Sequence, residues 1–357
     1  MSSRTFLQGS TNSGSSIAGG IVEAISRRQA LAGAAAAALT GWAGPAQAQS
    51  APLKITISAV RSITSSPHFV AKEKGYFAEQ GLDVTVDTSL QNVADQLPLL
   101  AAGQYQIMAT SWGASVFNAM RRGGLIQVLA TQTTLPTEGR NLVALVVSAE
   151  NYQKGLTTAE GLRGKKVGIV GFGGWNEYDV HLALKAFGGS VKDVELVQIG
   201  RNDIGPAIAN GAVTASWAAE PGVTLLEERK LAMPIKNDAA RGRGVFPLLT
   251  NTEFAKKNPD ASARYLAAFI KAAREIEASQ WKDPRLSEII SKYIGIPPET
   301  VRKAPSKLVP KLEPDFPLMS DMEEYFRERR MLTYTDKTKF EDFYSQQIVD
   351  QALKLAK

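Results

Sequence analysis

The chain has 357 residues, with 41 Lys and Arg against 35 Asp and Glu, a formal net charge of +6, two histidines and no cysteine. Zero cysteine excludes disulfides and thiolate metal sites, and two histidines argue against a His-rich catalytic metal centre, so neither a metal nor a cofactor is expected. The charges are dispersed, with no run of five like signs, which argues against nucleic acid and weakly for small anionic partners.

Chain order begins with what reads as an export signal over residues 1–48. Ser26-Arg27-Arg28-Gln29-Ala30-Leu31 leads into an alanine-rich apolar run, and Ala46-Gln47-Ala48 follows as a small-x-small cleavage site. The apolar run is too short and too rich in Ala and Gly to span a bilayer, which needs about 20 strongly apolar residues. The arginine pair suggests the twin-arginine route. Ala30, where a bulky residue is usual, leaves the general secretory route open. The mature protein is expected in the periplasm, free and not lipid-anchored, where the scarcity of ATP and NAD(P)H disfavours cofactor enzymes.

From Leu53 the pattern alternates strand and helix. Leu53–Ala59 alternates apolar and polar residues and reads as a strand, followed by the polar loop 61–66 and a Pro-started helix over 67–80 that Gly81 ends. A strand at Leu82–Asp87, a helix over 92–102, a short strand at 106–109, a helix to Arg122 and a strand over 125–131 follow. Such alternation implies a parallel sheet covered on both faces. Residues 141–148 are a near-continuous apolar run, as in a fully buried strand.

The pattern then restarts: a strand near 166–170, a glycine loop at 171–174, a helix over 175–187, a strand over 194–199, a helix over 204–210 and a strand over 212–216. Leu99-Leu100-Ala101-Ala102-Gly103 before Ile107 and Ala207-Ile208-Ala209-Asn210-Gly211 before Val213 have equal order and spacing, which favours duplication of a half-domain. From Thr252 onward the chain is mostly helical. It is expected to return onto the first half, giving two crossings, near 134–141 and 243–250.

In open α/β sheets ligands bind beyond the carboxyl ends of strands, at helix N-termini that suit anions. Four loops qualify. The first holds Arg61, Thr64, Ser65 and Ser66, the second Thr110, Ser111 and Trp112. The third holds Gly173, Gly174, Trp175 and Asn176, and the fourth Trp217 and Glu220. The glycine loop lacks the Lys-Ser/Thr of a P-loop and the spacing of a dinucleotide fingerprint. No nucleophile–base pattern stands out, which favours binding over catalysis.

The run Ala71-Lys72-Glu73-Lys74-Gly75-Tyr76-Phe77-Ala78-Glu79-Gln80-Gly81-Leu82-Asp83-Val84 resembles the A-K-x-x-G-x-F-x-x-x-G-L-x-V signature of periplasmic solute-binding proteins of the nitrate/sulfonate/taurine type. Leu162-Arg163-Gly164-Lys165-Lys166-Val167-Gly168 resembles their L-x-G-K-x-V-G, and Trp217-Ala218-Ala219-Glu220-Pro221 their W-x-x-E-P. The resemblance implies a type II periplasmic-binding-protein-like α/β fold with two lobes, two hinge crossings and parallel-rich sheets, the helical C-terminal part packing on lobe 1. Lobe 1 is expected over 51–137 and 248–357, lobe 2 over 138–247. It also implies a monomer that holds an alkanesulfonate, taurine, an aromatic acid or, less readily, nitrate, and delivers it to an inner-membrane ABC permease with a cytoplasmic ATPase. The implied pocket adds the Thr133/Thr134 hinge to the four loops, with Arg61 or Arg140 as a bidentate partner for an anion. Alternatives are a thiamine-pyrimidine-precursor binding protein, a related synthase, and a sensory binding protein. The synthase type uses a cysteine-rich segment and several histidines that this chain lacks.

Overall fold

Two five-stranded sheets organise the computed structural model, which describes residues 51–303 and 312–357. The expected export signal lies outside the described residues. The first stretch runs β1 (Leu53–Ala59), α1 (Ser66–Glu73), α2 (Tyr76–Glu79), β2 (Leu82–Asp87), α3 (Val93–Ala101), β3 (Ile107–Ala109), α4 (Ala114–Arg121) and β4 (Ile126–Thr133). The chain then crosses to β5 (Val143–Ser148), α5 (Ala149–Gln153), β6 (Lys166–Ile169), α6 (Trp175–Lys185), β7 (Glu195–Gln198), α7 (Ile204–Ala209), β8 (Ala215–Ala219), α8 (Gly222–Glu228) and β9 (Ala232–Pro234). It returns as β10 (Phe246–Asn251), α9 (Thr252–Lys257), α10 (Pro259–Ala278), α11 (Pro284–Ile294), α12 (Pro298–Val301), α13 (Phe316–Glu328) and α14 (Gln346–Leu355).

The strand orders are β2-β1-β3-β10-β4 and β7-β6-β8-β5-β9. β1 pairs parallel with β2 and β3, and β6 parallel with β7 and β8. Each sheet is nevertheless mixed. In each, the fourth strand runs antiparallel to both neighbours, and it is the strand that has just arrived from the other lobe. The cause is geometric. The chain leaves one sheet at the carboxyl ends of its strands, so it enters the facing sheet at the same gap and runs away from it. Both arriving strands are deeply buried, which explains their continuous apolar character.

The two crossings bond to each other. Leu135 N–H donates to the Arg243 carbonyl at 2.9 Å and Gly242 N–H to the Leu135 carbonyl at 3.0 Å. The Arg241 guanidinium donates to the carbonyls of Pro136 (3.2 Å) and Gly139 (2.8 Å). Residues 246–250, most of the second crossing expected over 243–250, are instead part of β10 in the first sheet, so the chain has already crossed before Phe246. The helix expected over 67–80 is broken because Gly75 adopts φ +76°, which separates α1 from α2.

The C-terminal helices close the first lobe with aromatic contacts. Tyr265 on α10 stacks on Phe77 at 5.0 Å, and Tyr293 on α11 stacks on Phe69 at 4.4 Å. Phe117 on α4 is fully buried between Trp112, Phe326 and Phe340. Truncating Phe117 to alanine removes a ring that ties α4 to the C-terminal segment. The variant is expected to lose about 3–5 kcal/mol of unfolding free energy; a loss below about 1 kcal/mol in denaturant titration would show that α4 and the C-terminal segment do not depend on this packing.

Candidate functional site

The carboxyl ends of β1, β3 and β4 open toward the second lobe. After β1 the chain turns through Arg61 into Ser65 and Ser66, both fully buried. Thr110 follows β3, and its N–H donates to the Pro247 carbonyl at 3.2 Å, which sets it beside β10. Thr133 ends β4, in register with Phe246, and Thr134 begins the first crossing. From the other lobe, β6 leads into the glycine loop and α6. There the Asn176 Oδ1 accepts from the N–H groups of Val170 (3.1 Å) and Gly171 (3.3 Å), so Asn176 shapes its own loop.

The two lobes touch through backbone. Ala114 N–H donates to the Gly173 carbonyl at 2.8 Å, and Trp175 N–H to the Trp112 carbonyl at 2.9 Å. Gly113 and Gly174 pair between them as an isolated antiparallel bridge. A Cβ at Gly113 would lie 2.8 Å from the Gly173 carbonyl oxygen, so the approach requires glycine there.

A carboxylate reinforces this contact. Glu177 on α6 is fully buried. Its Oε2 accepts from Gly173 N–H at 2.7 Å, while its Oε1 accepts from the Tyr325 hydroxyl at 2.8 Å and pairs with Arg329 at 2.5 Å. Tyr325 and Arg329 belong to α13 and its C-terminal end, on the first lobe. One side chain thus holds the glycine loop in shape and fastens it to the other lobe.

The side chains beside these contacts are not satisfied. The hydroxyls of Ser65, Ser66, Thr110, Thr133 and Thr134, the Gln132 Nε2 and the Trp175 indole N–H are all buried without a hydrogen-bond partner. A buried polar group left unpaired costs about 1–3 kcal/mol. Seven such groups lie on the facing loops and strand ends, and others, such as those of Ser58, Gln96 and Trp281, lie elsewhere.

The remaining candidates have protein partners or lie apart. Arg61 is exposed, Thr64 bonds to Ser62 at 2.7 Å and Ser111 is half-buried. The Trp112 indole donates to the Gly244 carbonyl at 3.1 Å, and the Trp217 indole to Asp179 at 3.0 Å. Glu220 accepts from Arg140 Nε at 2.6 Å and from Thr224 N–H at 3.1 Å, and Arg140 also pairs with Glu227. The structure therefore places Ser65, Ser66 and Thr110 just after strands of the first sheet, Thr134 on the first crossing, and Gly173, Gly174 and Trp175 at the glycine loop of the second lobe. It commits Arg140 and Glu220 to each other.

Gln132, Glu177, Tyr265 and Tyr325 were not singled out from sequence. The polar run Thr131-Gln132-Thr133-Thr134, closing a strand whose residues are almost all buried, was the available signal. Glu177 and Tyr325 are 148 positions apart and carried none.

Two buried groups near this region have displaced protonation. Burial holds His68 down to about 4, against its hydrogen bond to Gln132, and burial pushes Asp179 up to about 6, against its bonds to Asn237 and Trp217. A cavity of about 640 Å³ lies beside the crossings, against α10 and α14 of the first lobe, and Thr134 is among its lining residues. Its Asp315 is paired with Arg243 at 2.7 Å and its Arg274 donates to the Ala356 carbonyl, and of the unpartnered groups named above it takes in Thr134 alone. Among the described residues no group of three His, Asp or Glu is placed to hold a metal ion, and no helix is long and apolar enough to cross a membrane.

The family described as NMT1/THI5 like matches residues 62–280. The riboflavin-binding protein RibY of Chloroflexus aurantiacus is 29% identical over 241 residues, covering 65% of this chain and 66% of RibY, just under two thirds of that protein's length. The 4-amino-5-hydroxymethyl-2-methylpyrimidine phosphate synthase THI12 of Saccharomyces cerevisiae is 28% identical over 247 residues, covering 63% of this chain and 69% of THI12. Among solved structures, the periplasmic aliphatic sulphonate binding protein SsuA of Escherichia coli superimposes with a TM-score of 0.70 at 16% identity, over 84% of this chain and 99% of SsuA. The fold is the periplasmic-binding-protein-like one.

Two outcomes follow from this geometry. Gly113→Ala forces backbone apart at the lobe contact and is expected to give a larger radius of gyration by small-angle scattering; a profile superimposable on the parent's contradicts the contact. The second concerns pH. His68 resists protonation when folded, so its contribution is full above pH 6.5 and is lost as pH falls toward 4. Asp179 keeps its proton to about pH 6 when folded, so its contribution is full below 3.8 and is lost as pH rises to 6. Each amounts to about 3 kcal/mol, and they oppose. Asp179→Asn removes only the second, so its stability relative to the parent should rise by about 2 kcal/mol from pH 4 to 6.5; a constant difference across that range would refute the assignment.

Proposed function

The chain belongs to the NMT1/THI5-like family, and on that premise we propose that it is the substrate-binding component of an ABC import system. It works in the periplasm as a monomer, closes its lobes on a small anionic organic solute such as an alkanesulfonate or an aromatic acid, and presents it to a membrane permease driven by a cytoplasmic ATPase. The observation that carries this reading is the set of unpartnered buried polar groups at the facing strand ends. Short hydroxyl donors and the N-termini of α1 and α6 suit an oxyanion. In this reading Ser65, Ser66, Thr110, Thr133, Thr134, Gly173, Gly174 and Trp175 contact the solute. Arg61, Thr64, Ser111, Trp112, Asn176, Trp217 and Glu220 frame the loops around them.

Binding without turnover is supported by the commitments of the reactive groups. His68 is neutral and fully buried, Glu177 and Glu220 are spent on protein partners, and the chain has no cysteine. A second reading, a flat heteroaromatic ligand, is favoured by the unpartnered Trp175 indole and by the names of RibY and THI12.

A thermal-shift series with butanesulfonate, taurine, nitrate, benzoate, riboflavin and 4-amino-5-hydroxymethyl-2-methylpyrimidine separates these. Stabilisation by the sulfonate or the carboxylate, growing with concentration and without chemical change of the compound, is expected. Response to the heteroaromatics alone selects the second reading. Conversion of any compound, or no response to all of them, defeats the binding account.

A further inference from the structure

We propose that Gln132 is the specificity-determining donor of the cleft, and that Tyr265 and His68 are positioning residues that fix which end of its amide faces the solute. This rests on the reading of the cleft as a solute site and names the part of the solute that must lie there: an oxygen acceptor, never an ammonium or other donor.

An amide side chain presents a carbonyl at one end and two donors at the other, so its neighbours decide what it offers. Here they form a buried chain across the first lobe. The Tyr265 hydroxyl lies 2.8 Å from His68 Nδ1, and His68 Nε2 lies 3.0 Å from Gln132 Oε1. Tyr265, His68 and Gln132 are all buried, at 1% exposure or less. A carbonyl oxygen only accepts, so His68 carries its proton on Nε2. Nδ1 is then bare and accepts the Tyr265 O–H. The reverse polarity would leave the Tyr265 proton with no acceptor among the described residues. Burial keeps the imidazole neutral, at about 4, so one nitrogen remains an acceptor throughout the neutral range.

The consequence falls on the far end of Gln132. Its NH₂ is turned away from His68 and finds no protein partner. Ser65 and Ser66 stand at the start of α1, three and two positions before His68, and their hydroxyls are equally unpartnered. Hydroxyls can donate or accept, but the amide nitrogen can only donate. It therefore sets the sign of the site. Arg140 and Arg243 are held by Glu220 and Asp315, so neutral donors do this work. A sulfonate, carboxylate or ring-carbonyl oxygen fits, and a bifunctional solute such as taurine would enter acid end first.

The test has two arms. With only two histidines, ¹⁵N-histidine spectra of the full chain, assigned with a His181→Gln variant, report the tautomer. The Nε2–H form, untitrated between pH 5.5 and 8, is expected for His68, and Tyr265→Phe should disturb it. The Nδ1–H form, or a midpoint near the ordinary histidine value, overturns the polarity. In the second arm butanesulfonate is titrated calorimetrically at pH 8. Gln132→Leu should bind roughly tenfold more weakly. Gln132→Glu, which places a carboxylate against the oxyanion, should be weaker by at least about a further tenfold. Variants with the parent's circular dichroism and its affinity overturn the proposal. If the parent itself binds no compound of the thermal-shift series, the cleft reading fails, and the tautomer still decides whether the amide is oriented as stated.

Discussion

Hydrogen-bond accounting at the line where the lobes meet governs the rest of the structure. The backbone of the two lobes satisfies itself there, with Trp112 and Ala114 on one side bonded to Gly173 and Trp175 on the other. The side chains around those bonds do not. Other unpartnered buried groups, such as those of Ser58, Gln96 and Trp281, are scattered through the protein, whereas seven lie on the loops and strand ends that face each other across this line.

The topology explains why the seam can exist. Each sheet inserts one antiparallel strand that comes from the other lobe, so both sheets direct the carboxyl ends of their remaining strands at the same gap. The two crossings are bonded to each other as one short ribbon. Closure in such a hinge is driven only by what differs between open and closed forms. The contacts that join the lobes here are the Glu177 carboxylate with Tyr325 and Arg329 and the backbone bonds of Ala114 to Gly173 and of Trp175 to Trp112.

Much of this could be read from residues. The alternation of apolar runs and glycine stops located the strands and the loops that carry Ser65, Thr110 and Gly174, because local periodicity and turn chemistry are written locally. What could not be read depends on distance along the chain. Trp217 and Glu220 stand at a strand end, but their partners are not legible there: the first gives its indole N–H to Asp179 and the second its carboxylate to Arg140. Those partners are 38 and 80 positions away, and no spacing rule links them. The same holds for Gln132, whose meaning comes from His68 and Tyr265. The mixed sense of the sheets was equally hidden, since a buried strand reads the same in either direction.

A crystal structure of the protein grown with a compound that stabilises it would test the central claim most directly. The account predicts density for that compound between residues 110–113 and 171–175, with an acceptor oxygen within hydrogen-bond reach of Gln132 Nε2 and of the Ser65 or Ser66 hydroxyl. Density instead in the cavity beside Arg274 and Asp315, with the seam between the lobes empty, would contradict it.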